Sequence, residues 1–125
     1  QLAEKNPEAF NGDLAMCLRN MGLLTARLQR DGEAETFFLE ALQLLSGNYQ
    51  RSPDAFWLKL SEIYYYLAEV LIESDKKKEA ASYLAILIEI LTKHGDPASN
   101  QEQMEYINVL LAKTGTAPDE VLKTT

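Results

Sequence analysis

The five residues NPEAF at positions 6–10 return as SPDAF at positions 52–56. Pro7 to Pro53 is 46 residues (53 − 7), and the same offset separates Phe10 from Phe56 and Ala34 from Ala80. In that register Leu18 falls on Tyr64, Met21 on Leu67, Gly22 on Ala68 and Phe38 on Leu84. One offset thus aligns a helix, a turn and a second helix, which marks an internal repeat. Such a repeat constrains the fold strongly. Each unit is one supersecondary element that cannot bury its apolar face alone, so neighbouring units must stack.

The apolar residues inside each unit recur at spacings of three and four. Leu14, Leu18, Met21, Thr25 and Leu28 form one stripe, and Phe37, Phe38, Ala41, Leu44 and Leu45 a second. Leu60, Ile63, Tyr64, Leu67 and Leu71 form a third, and Ala80, Tyr83, Leu84, Leu87 and Leu91 a fourth. Met104, Ile107, Leu110 and Leu111 make a shorter fifth. Each stripe predicts an amphipathic helix burying one face. No segment alternates apolar and polar residues as a strand would.

Asn6-Pro7 and Ser52-Pro53 read as N-caps followed by a proline in the first turn. QRDGE at 29–33 and ESDKKKE at 73–79 read as helix–helix turns. His94-Gly95 reads as a helix end with a left-handed glycine, and Thr116 to Asp119 as a capping box. The expected helices span about 12–29, 31–46, 53–74, 77–94 and 98–113, with a short sixth near 117–123. The fold class is therefore all-α, with short loops pairing the helices as antiparallel hairpins.

The 125-residue chain carries a net charge of −7, which disfavours binding to phosphate backbones. Its one basic run, Lys76–Lys78, falls on a turn and a first helical turn. No apolar run approaches the length of a membrane span. The one cysteine forms no internal disulfide, which suits a reducing, cytoplasmic compartment. The chain opens on Gln1 rather than Met, which points to a segment upstream. Cys17 and the one histidine, His94, lie on different units, and Cys17 reads as a small, partly buried helix residue. No zinc-type ligand set or phosphate-binding glycine loop is present, so neither cofactor nor metal nor enzymatic activity is expected.

Within the first unit, LRNMGLLT followed by Ala34, Phe38 and Ala41 resembles a tetratricopeptide repeat. Leu18, Met21 and Gly22 stand at that family's large, large and small positions of helix A, with Thr25 where tyrosine is usual. Ala34, Phe38 and Ala41 match the alanine, aromatic and alanine of helix B. The second unit, with Tyr64, Leu67, Ala68, Ala80, Leu84 and Leu87, is a poorer match. The family's period is about 34 residues, so this one is about 12 longer. The surplus is expected as an extra helical turn or so at the start of helix A, broken from the main helix at Asn11-Gly12 in the first unit. LAEKNPEAFNGDLAMCLRNMG also resembles long-period arrays of bacteria.

The resemblance implies one domain over 1–125, wound as a right-handed superhelix of about two and a half units. These units cover about 6–46 and 52–94, with a partial third or cap at about 97–125. It also implies a concave groove lined by the A helices that holds a protein or peptide segment. Groove positions fall on Met16, Arg19, Asn20, Leu23 and Arg27, then on Glu62, Tyr65, Tyr66, Glu69 and Glu73. Tyr65 and Tyr66 offer rigid apolar area with hydroxyls. The acidic second wall suits a segment of some basic character. Asn20 matches the asparagine of members that clamp a peptide C-terminus, but Met16 and Glu62 replace the clamp's lysines, which argues against that activity. Phe56 and Trp57 stand side by side, and one is expected to pack inward. The alternative to partner binding is self-association, as a dimer or by end-to-end stacking of units.

Overall fold

The computed structural model describes residues 7–115. Among the described residues are five α-helices and no strand: α1 (Pro7–Arg27), α2 (Asp31–Arg51), α3 (Pro53–Glu73), α4 (Lys77–His94) and α5 (Pro97–Thr114). The fold is all-α. The chain divides into two compact units between Ile63 and Tyr64, within α3. In the first unit α1 packs on α2, and in the second α4 packs on α5. The capping box at Thr116–Asp119, the sixth helix and the Asn6 N-cap lie outside the described residues.

The 46-residue repeat is written in the backbone. Helices α1 and α3 both begin on proline and both run 21 residues. The helices that follow them begin at Asp31 and Lys77, the same offset apart (77 − 31 = 46). The two turns between have matching geometry. Gln29 lies at φ 62° and Asp75 at φ 63°, the only non-glycine residues with positive φ among the described residues. The Gln29 N–H donates to the Ala26 carbonyl at 3.0 Å and the Arg30 N–H to the Thr25 carbonyl at 2.9 Å. The Asp75 N–H donates to Ile72 at 3.1 Å and the Lys76 N–H to Leu71 at 2.8 Å. This nested pair of bonds is a Schellman end, which satisfies carbonyls the helix itself leaves open. The glycine of QRDGE is not used for it. Gly32 sits inside α2, where a Cβ would meet nothing within 4 Å.

Helix boundaries differ from the sequence expectation where packing intervenes. Helix α1 starts at Pro7 and runs unbroken through Asn11-Gly12. Gly12 is buried, and a Cβ there would make only an ordinary contact with the Phe56 ring, at 3.5 Å. Helix α2 continues past 46 to Arg51, with Asn48 fully buried and its Oδ1 accepting from Arg51 Nη2 at 2.9 Å. Only Ser52 separates α2 from α3. The long period is thus taken up by extra helical turns at the end of α2 as well as at the start of α3.

Gly95 is not left-handed but extended, at φ −85°. It is a glycine for space. A Cβ would fall 1.9 Å from Asn100 Nδ2. That amide donates to the Leu91 carbonyl at 3.0 Å, closing an open acceptor at the end of α4 from nine residues away.

Four of the five apolar stripes are mostly buried, but of the α1 stripe only Thr25 is buried. Leu14, Met21 and Leu28 are exposed, whereas Gly12, Ala15, Gly22 and Thr25 face inward. The reason is the Phe38 ring of α2, which lies where a Gly22 side chain would be, 2.5 Å from the position of its Cβ. A small-residue face lets α1 and α2 close on that ring. The Thr25 hydroxyl, buried with it, donates back to the Met21 and Gly22 carbonyls at 2.9 and 3.0 Å. Phe56 is buried and Trp57 half-buried.

Candidate functional site

Helices α1, α3 and α5 each begin on proline, the third 44 residues after the second (97 − 53). Residue 19 of α1 therefore corresponds to 65 of α3, and 62 of α3 to 106 of α5. The structure brings both pairs together. In the first unit Arg19 Nη1 donates to Glu62 Oε2 at 2.6 Å. In the second unit the Tyr65 and Tyr106 rings stand 5.5 Å apart at 50°. The same rung is built once from an ion pair and once from two aromatic rings.

These rungs decide what the expected groove residues are free to do. Arg19 is engaged by Glu62, and its Nε and Nη2 donate to Asn20 Oδ1 at 3.3 and 3.2 Å. Leu23 and Met16 are half-buried, and Arg27 is exposed in the last turn of α1. The first unit therefore offers one ion pair already closed on itself and one exposed arginine.

The second unit is different. Tyr65 touches Tyr66 edge-on, with ring centroids 5.5 Å apart at 67°, as well as Tyr106. Tyr106 is 46% exposed. The Tyr65 hydroxyl is pushed well above the usual phenol range, first by burial, then by its hydrogen bond with Tyr106 and by the charge of Glu69. It stays a neutral donor and acceptor at any physiological pH. Glu69 is half-buried, and its carboxyl is raised above the ordinary carboxylate value, chiefly by burial. The nearby Lys113 pulls it down and Glu73 pushes it up. The result is an aromatic patch beside an incompletely compensated carboxylate.

Tyr106 and Lys113 were not expected at this surface. Their signal was Pro97, which starts a third helix at nearly the repeat spacing and so sets Tyr106 in the place of Glu62. The sequence reading of Cys17 also needs correction: the thiol is exposed on α1. Among the described residues no group of three or more His, Cys, Asp or Glu could hold a metal ion. Among them, too, no helix is long and apolar enough to cross a membrane. No known protein family, curated protein or solved structure matches this chain.

Proposed function

We propose that the chain is a non-enzymatic protein-interaction module of the tetratricopeptide type, and that the tyrosine patch of its second unit docks a partner polypeptide with basic side chains. On this reading the helix hairpins wind into that family's right-handed superhelix. The observation that carries the proposal is the Tyr65–Tyr66–Tyr106 cluster, with Tyr106 exposed and the charge of Glu69 acting on Tyr65. Two rings braced by Tyr65 present apolar area at small entropic cost. A Lys or Arg from the partner would take up the field of Glu69 and Glu73 that Lys113 balances only in part. Arg19 and Glu62 satisfy each other and are not offered to it.

A peptide library displayed on phage and panned on the chain tests this. Enriched sequences are expected to carry Lys or Arg next to an apolar residue. Their affinity should fall at least tenfold in Tyr106→Ala, with helical circular dichroism unchanged, and stay level in Arg19→Ala. Failure to enrich any sequence, or binding indifferent to Tyr106→Ala and Glu69→Gln, removes the patch as a site.

A further inference from the structure

The solvent face of α1 is patterned like a buried one. Phe10, Leu14, Cys17, Met21, Leu24 and Leu28 are all exposed and follow one another at alternating steps of four and three residues. That alternation averages 3.5 residues, the seam of a left-handed helix pair, and is narrower than the face of an ordinary surface helix. The repeat shows what such a face normally does. Forty-six residues on, Phe56, Leu60, Ile63, Leu67 and Val70 are all buried. Met21 is 45% exposed where Leu67 is 0%, and Leu24 is 51% exposed where Val70 is 5%. Helix α1 carries a packing face whose large apolar residues stay 40–55% exposed.

We propose that a second copy of the chain covers it, through the same face of its own α1, with the two helices antiparallel about a twofold axis. The sequence of the seam and its edge select a copy in that orientation. About one midpoint, at Arg19, Phe10 comes opposite Leu28, Leu14 opposite Leu24 and Cys17 opposite Met21. Every seam residue then meets an apolar one. The outer edge of the seam carries Asp13, Asn20 and Arg27 at seven-residue steps, all exposed. In an antiparallel pair this edge meets its own copy. Asp13 then faces the second copy's Arg27, Arg27 faces the second copy's Asp13, and Asn20 faces Asn20. The inner edge brings Leu18 to Leu18. A parallel pair would instead set Asp13 and Asn20 against Leu18 and Thr25, with no charge to answer. The contact is isologous, so it closes at two chains and does not propagate.

Sedimentation of the whole chain across a concentration series reads the mass directly. A monomer–dimer equilibrium is expected. Met21→Glu with Leu24→Glu should weaken it at least tenfold while leaving helical circular dichroism and melting intact, since both side chains are exposed. Asp13→Arg alone should weaken it, and adding Arg27→Asp should restore it. Orientation is read by disulfide formation in a Cys17→Ser background. Copies carrying Leu14→Cys should cross-link to copies carrying Leu24→Cys, and neither to itself. A chain that stays monomeric throughout overturns the pairing and leaves the face to a helix of another protein. So does a dimer indifferent to Met21→Glu/Leu24→Glu, or a charge swap without rescue. The tyrosine patch is untouched by these changes, so the two proposals fail separately.

Discussion

The two sequence repeats share a backbone and differ in what fills it. Both first helices begin on proline, run 21 residues and end in the same left-handed turn. Yet the first unit sets a phenylalanine against a glycine, Phe38 over Gly22, where the second has Leu84 and Ala68, all fully or nearly fully buried. One methyl gained goes with one ring lost. The rung between successive first helices is Arg19–Glu62 in one unit and Tyr65–Tyr106 in the other. The seam that α3 buries, α1 leaves bare. A helical repeat therefore holds its turns and its volumes steady, while the chemistry at each position is free to vary. That freedom is where the two candidate surfaces arise.

The volume exchange gives the largest expected effect. Gly22→Ala should destabilise by about 1–3 kcal/mol, because the new methyl and the Phe38 ring cannot occupy one place. Adding Phe38→Leu, which converts the pair to that of the second unit, should recover part of the loss. Urea titration of the two single variants and the double closes the cycle. Losses that merely add would show that the two units do not trade volume at this site.

The matching turns come next. Gln29→Gly and Asp75→Gly should each stabilise, by up to about 1 kcal/mol, since both residues hold a left-handed backbone that glycine adopts without strain. Gln29→Gly should gain more, because aspartate tolerates that conformation better than glutamine. Equal gains in thermal melts would erase the distinction between the turns.

The rungs should part company in salt. Arg19→Met is expected to cost about 0.2–1 kcal/mol at low ionic strength and almost nothing at high, because the ion pair is partly exposed. Tyr65→Phe should cost about 0.5–1.5 kcal/mol regardless of salt, through its lost hydrogen bond. Denaturant midpoints at two salt concentrations decide it.

The smallest effect is at Glu69. Its carboxyl is raised in the folded state, so ionising it opposes folding. The stability it contributes is complete below the unfolded value of 4.5 and is lost as pH rises through the folded value. Relative to Glu69→Gln, the parent should therefore lose ground between mildly acid and neutral pH, and the gap should be constant below pH 4.5. A gap that widens toward acid would reverse the assignment of burial as the cause. Lys113→Met should widen it at neutral pH, by removing the one opposing charge.

Much of this was legible in the residues. The 46-residue register, the all-α class, the starts of α2, α3 and α4 and the four mostly buried stripes follow from spacing and punctuation alone. The misreadings share one cause. Leu14, Met21 and Leu28 look like core because they are large and periodic, and Asn11-Gly12 looks like a break because the pair disfavours helix. Which face of α1 turns inward was settled instead by where Phe38 needed room. Gly95 was read for its dihedral freedom and serves by its lack of a side chain. Tyr106 was passed over because a residue forty-one positions from Tyr65 (106 − 65) has no local pattern to mark it.

The sequence by itself determined the periodicity, the helices and the composition of each face, because those depend on residues three, four or forty-six apart along one chain. Only the tertiary structure decided which faces were covered. It closed Arg19 on Glu62, braced Tyr65 between two rings and left the α1 seam in water. Burial is a property of neighbours, and neighbours are chosen by how helices with unequal side chains fit against one another.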